Sequence, residues 1–248
     1  MIGDILLVRG GTKFSTSLVK AQKAIYKKVK SSHVEICVGE GIFIHSTNDG
    51  GVHLTFLLDE LKEIKDDWKV IRLKGISSKE KDALQIASLY YLGQSYNKKY
   101  MLPENESSSF CSELIGKIYR KAGITILGGR KPSTVAPAHF DKEIDLGDSW
   151  DDVTHEYHPL IEDMRDKEKQ YRLMFATIRA GIMKRSTLSA ARKELFDTIH
   201  NLAGDIASPS MIQAIEDAKS KMAKERILDF WDEKDAIPFD SSTKGKKN

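Results

Sequence analysis

The sequence predicts an α+β fold: an antiparallel sheet packed on a helix that begins at a cysteine, followed by a helical C-terminal extension. Three observations carry that expectation. His33 to Gly39 alternate polar and apolar side chains, and after the turn Gly39-Glu40-Gly41 the run Ile42 to Ser46 reads as a second strand, so the pair reads as a β-hairpin. Cys111 stands where the polar run Ser107-Ser108-Ser109 gives way to Leu114, Ile115, Ile118 and Tyr119 at helical spacing. Beyond Asp152 no clear strand pattern follows, and three amphipathic helical stripes take over.

Taken in order, Ile5 to Val8 read as a first strand, and Gly10-Gly11 as a turn. The segment from Phe14 to Tyr26 carries Phe14, Leu18, Ala21 and Ile25 on one helical face, with lysines at 20, 23, 27, 28 and 30 around it. A solvated helix is the ordinary meaning of such a pattern, and an anionic surface is the alternative. In the hairpin, His33, Glu35 and Cys37 share one strand face, and the short turn brings His45 on the second strand near His33. Val52 to Phe56 is short enough to be a third strand, and its His53 reads as a surface or strand histidine. Trp68 to Leu73 is a further strand, and Ser77 with Glu80 caps a helix running to Leu92. A loop holding Tyr96, Tyr100 and Pro103 delivers the chain to Cys111. His139, in a Pro-rich stretch, reads as a loop residue. These elements place a catalytic domain over 1–147, a helical extension over 148–240 with helices at about 159–184, 187–203 and from Ser208-Pro209 onward, and a disordered tail over 241–248.

Composition narrows the function classes. With 40% hydrophobic and 30% charged residues the 248-residue chain has the make-up of a soluble globular protein, and a net charge of +3 is too balanced to point to nucleic acid. Cys37 and Cys111 make no disulfide framework and read as free thiols in a reducing compartment. The short apolar run after Asp4 reads as a strand and not as a signal peptide, and no stretch is long enough for a transmembrane segment. Synthesis in the cytoplasm is therefore expected, with delivery outside, if any, by a dedicated secretion system.

A cysteine at a helix N-terminus is a candidate nucleophile, because free backbone N–H groups and the helix dipole favour the thiolate. It needs a base, and an imidazole held by a second polar group is the usual one. Cys111, His33 and His45 meet that need from spacing alone, and Glu35 is an alternative orienter of His33. A zinc set of His33, His45, His53 and Cys111 lacks any Cys-x-x-Cys or His-x-x-x-His spacing, so no metal or other cofactor is expected.

Gly3-Asp4-Ile5-Leu6, Ser32-His33-Val34, Gly39-Glu40-Gly41, Gly93-x-x-Tyr96 and Phe110-Cys111-Ser112-Glu113-Leu114, in that order over residues 1–140, resemble the circularly permuted papain-like cysteine hydrolases. That group includes the YiiX-type proteins and is related to NlpC-type peptidases and lecithin:retinol acyltransferase. The resemblance implies Cys111 as nucleophile, His33 as general base, and the Cys111 backbone N–H as part of an oxyanion hole. YiiX-type members would carry a glutamate twelve residues after the base histidine. His45 stands there instead, as in the acyltransferase branch. Three readings follow: an amidase acting on peptidoglycan stem peptides, in one form as a secreted antibacterial effector; a lipid acyl hydrolase or acyltransferase; and a non-catalytic binding module. The C-terminal helices would then receive an inhibitor or a carrier protein.

Overall fold

The computed structural model describes residues 1–64, 68–100, 103–203, 208–224 and 230–231. The elements run β1 (Ile5–Val8), α1 (Lys13–Gln22), β2 (His33–Gly39), β3 (Ile42–Thr47), β4 (Gly51–Phe56), α2 (Leu57–Glu63), β5 (Lys69–Leu73) and α3 (Ser78–Tyr90). Two-residue strands β6 (Ser95–Tyr96) and β7 (Ser108–Ser109) precede α4 (Cys111–Lys121). Then come α5 (Pro137–Leu146), β8 (Trp150–Asp152), α6 (Thr154–Asp166), α7 (Glu168–Ala203) and α8 (Pro209–Lys224). Six strands form one sheet in the order β4-β3-β2-β1-β5-β8, every neighbouring pair antiparallel. This is the expected α+β architecture.

Both faces of the sheet are covered, which is why Ile5 to Val8 are all apolar and all buried. On one face Ile5, Leu7, Val34, Ile36 and Ile44 form a core with Leu84 of α3 and Leu114, Ile115 and Ile118 of α4. On the other, Leu6, Val8, Cys37 and Phe43 pack with Leu57 of α2 and Tyr157, Ile161 and Met164 of α6. The β2–β3 turn depends on Gly41, whose φ is +69° and whose Cα lies so close to Met164 that a Cβ would come within 1.9 Å of its terminal methyl.

Several local expectations change. The Ser77/Glu80 capping box is present. Helix α1, however, stops at Gln22 and buries Val19 and Gln22, while Phe14 is 62% exposed. Gln22 turns inward because its side chain donates to Ser31 O and accepts from the Ala138 N–H. Lys27, Lys28 and Lys30 therefore follow the helix and do not line it. His139 lies in α5, its Nδ1 accepting the Ala136 N–H at the helix start. Strand β8 falls where no strand was expected; it pairs with β5, and Trp150 packs edge-on against Tyr119 and Phe140. Helix α6 starts at Thr154, five residues before Pro159, because Asp152 Oδ1 accepts both the backbone N–H and the hydroxyl of Thr154. Ser186-Thr187 does not separate two helices. The Thr187 hydroxyl donates to Met183 O within the turn, so α7 runs through. Among the described residues no helix is long and apolar enough to cross a membrane. The tail from Ser241 lies outside the described residues.

Candidate active site

Cys111 is the first residue of α4, and a buried polar scaffold fixes it there. Glu113 reaches back so that its Oε2 accepts the Phe110 N–H at 3.2 Å and Asn97 Nδ2 at 2.9 Å. One turn on, Lys117 Nζ donates to Asn105 O, Ser108 O and Ser109 Oγ at 2.7–3.0 Å, and lies 3.3 Å from Glu113 Oε1. Both side chains are fully buried. From the sheet, Ser46 Oγ donates to Ser109 O at 2.6 Å. The cysteine is thus held between the loop, its own helix and strand β3.

The histidines come from three adjacent strands. β4 pairs with β3 so that His53 stands directly across from His45. β3 pairs with β2 through Ile36↔Ile44 and Cys37↔Phe43, a register that continues to Glu35 opposite His45 and sets His33 diagonally from it. The side chains join into a chain. His33 Nε2 lies 3.1 Å from His45 Nδ1, His45 Nε2 lies 2.9 Å from His53 Nε2, and His53 Nδ1 lies 3.0 Å from Gly51 O. Glu35 Oε1 approaches His45 Nδ1 at 3.1 Å and His33 Nε2 at 3.8 Å. Glu60 of α2 brings its carboxyl against Glu35 and accepts the Thr55 hydroxyl.

The far end of this chain fixes the protons. A carbonyl only accepts, so His53 Nδ1 carries hydrogen and its Nε2 is a lone pair. His45 must then donate from Nε2, leaving Nδ1 to accept from His33 Nε2–H. His33 is left with a bare Nδ1, the tautomer a base needs. All three rings are held neutral: burial, then His45 and His53, depress His33 well below its usual value. Burial likewise depresses His45, and burial with His45 takes His53 down to about 4. Glu35 moves the other way, pushed up to about 7 by burial. Glu60 also rises to about 7, through burial and then the Glu35 charge. Two carboxyls facing each other hold a shared proton most readily.

Alternation along β2 sends His33 and Glu35 to the face opposite α4, yet the thiol is not walled off from them. The β2–β3 ladder ends at Ile36↔Ile44. Cys111 packs with Val34 and Ile36 on the α4 side, and its thiol bonds to the backbone of Val34, the residue between His33 and Glu35, and to Ser112. There it feels the charge of Glu35. Tyr96 and Tyr100, whose hydroxyls bond each other, lie close enough that a thiolate would raise their pKa values. Burial pushes the thiol itself up to about 11, against the backbone hydrogen bonds that lower it. The resting pair is therefore a neutral thiol and a neutral imidazole. Alkylation of Cys111 by iodoacetamide is expected to be slow at pH 7 and to rise about tenfold per pH unit up to pH 10. Peptide mapping separates it from Cys37; a rate already flat at pH 7 would refute the raised value.

Glu35 gives a stability prediction. Its folded value lies above the ordinary 4.5, so the neutral group favours the fold fully below about 4.5, and that contribution is lost as pH rises through about 7. Glu35→Gln keeps the shape and cannot ionise. It should stabilise the protein by roughly 1–3 kcal/mol at pH 8 and by much less at pH 4.5, read as urea midpoints. Equal effects at both pH values would show that Glu35 ionises without cost.

The site thus joins His33, His45 and Glu35, and the Cys111 thiol meets the same strand at the Val34 backbone. His53, Glu60 and Tyr100 complete it, none of which the sequence marked as functional. A histidine strand that precedes the cysteine helix, the two packed through one antiparallel sheet, defines the class of permuted papain-like proteins. Residues 2–141 match the family described as permuted papain-like amidase enzyme, YaeF/YiiX, C92 family, and the chain belongs to that family. That family is described as one of papain-like amidases. A solved structure similar to it is that of the metalloprotein yiiX from Escherichia coli O157:H7, at 21% identity and a TM-score of 0.40, over 49% of this chain and 66% of that one. The match thus spans just under two thirds of that relative. No curated protein matches the chain.

Proposed function

We propose that the chain is a cysteine amidase in which Cys111 is the nucleophile and His33 its base. The observation that supports this reading is Cys111 at a helix start with its thiol bonded to the backbone of Val34, between His33 and Glu35 on β2. Substrate binding brings His33 Nδ1 to the thiol, a contact that tightens only in the complex. His33 takes the thiol proton, sulfur bonds to the amide carbonyl carbon, and the oxyanion meets the Cys111 backbone N–H at the head of α4. Imidazolium charge is relieved through His45 and the Glu35 carboxylate 3.1 Å from it. The proton passes to the leaving amine as the C–N bond breaks, and water then hydrolyses the thioester.

The substrate we favour is a peptidoglycan stem peptide. A second reading, cleavage or transfer of a lipid acyl ester, draws on His45 and on the basic segment from Lys20 to Lys30. Incubating wild-type and Cys111→Ala protein with purified peptidoglycan and with phospholipid vesicles, followed by mass spectrometry, separates the two. Cysteine-dependent release of peptides supports the first reading and of fatty acid or lysolipid the second. Identical products from both proteins would refute a catalytic Cys111.

A further inference from the structure

The histidine cluster carries a second chemistry besides the proton chain. His33 Nε2, His45 Nδ1 and Glu35 Oε1 form a triangle with edges of 3.1, 3.1 and 3.8 Å. A point equidistant from three atoms so arranged lies about 2.0 Å from each, which is the bond length of zinc to imidazole nitrogen or carboxylate oxygen. Tetrahedral coordination at that length spaces its ligands about 3.3 Å apart, close to the observed edges.

Two further features suit a cation. Glu35 is fully buried, and among the described residues no backbone amide or hydroxyl donates to either of its oxygens; its neighbours are imidazoles and the Glu60 carboxyl. His45 already donates Nε2–H to His53, which is anchored on Gly51 O, so its ring is fixed from behind and its Nδ1 lone pair, which accepts from His33 in the metal-free protein, is turned toward the triangle. Linear spacing hides such a site. A His-x-Glu pair puts two ligands on one strand face, and the third comes from across the sheet.

We propose that His33, His45 and Glu35 form a binding site for a divalent cation of the zinc type, and that filling it switches the thiol chemistry off. The switch follows from tautomers and rests on His33 being the base of Cys111. A metal on His33 Nε2 moves that ring's hydrogen to Nδ1, the nitrogen that has to accept the thiol proton. His33 is 23% exposed at its side chain, which leaves a path for the ion and a coordination position for water.

Cobalt(II) added to the full chain tests the site without reference to activity. The expected result is saturable one-to-one binding with visible d–d bands and no thiolate-to-cobalt charge transfer. Glu35→Gln should weaken affinity at least tenfold and Cys111→Ser should leave it unchanged, with circular dichroism checking that each variant is folded. Failure to saturate, indifference to both Glu35→Gln and His45→Gln, or loss in Cys111→Ser would overturn the assignment. Zinc should inhibit Cys111-dependent turnover with an inhibition constant equal to its dissociation constant, reversed by a chelator. Stoichiometric zinc with undiminished turnover would overturn the switch alone. Absence of any Cys111-dependent turnover would overturn the proposed function and the switch with it, while the cobalt spectrum still decides the site.

Discussion

Cys111→Ala is expected to lower amide turnover by about 10³-fold or more while leaving the fold intact. The substitution removes one sulfur at a position already 7% exposed, so the cavity cost is small. What it removes chemically is the sulfur on which the proposed acyl bond would form. His33→Gln should come close to the same loss for a different reason: the thiol remains but has no acceptor, and at a pKa of about 11 it ionises too little near neutrality to compensate. The two variants are separable at high pH. There His33→Gln should regain part of its rate as the thiolate forms on its own, whereas Cys111→Ala should stay inactive. Recovery in neither would remove His33 from the role of base, and wild-type turnover by Cys111→Ala would remove the nucleophile.

Much of this site was legible because its parts rest on local signals. The helix start at Cys111 shows as a switch from serines to helical periodicity, and the hairpin as alternation about a glycine turn. His53 was legible in principle. The turn centred on Asp49 places residues 45 and 53 opposite each other, by the same reasoning that brought His33 near His45. Asn48 to Gly51 reads as a break and not as a hairpin turn, which hides the pairing. Glu60 could not be read this way, since it reaches Glu35 from a helix packed on the sheet, and packing of that kind leaves no periodic trace. The same holds for β8: three residues, two of them acidic and exposed, are recognisable as a strand only once β5 is there to pair with. The approach of the thiol to the Val34 backbone is also a tertiary fact, since it comes from the packing of α4 on β2 and leaves no local pattern.

Lys117→Met is expected to be the most destabilising single change near the site, by roughly 3–5 kcal/mol. Lys117 and Glu113 are both fully buried, and three hydrogen bonds from the ammonium tie down Asn105, Ser108 and Ser109 just ahead of Cys111. Methionine matches the volume and fills the same channel, so packing is nearly conserved. The loss is electrostatic: Glu113 Oε1 has no hydrogen-bond donor and only the Lys117 ammonium nearby, so without it a buried carboxylate is left without its counter-charge. Glu113→Gln in the same background should restore much of the stability, because the amide can still accept from Phe110 N–H and Asn97 without a charge to compensate. It should not restore activity to the same degree. The loop carrying Ser108 and Ser109 would still lack its anchor, and the thiol that follows it would no longer be held against the Val34 backbone. Urea midpoints for the two single variants and the double variant give the coupling, and turnover of the double variant gives the anchoring effect. If Lys117→Met unfolds within about 1 kcal/mol of wild type, the buried pair does not hold the head of α4.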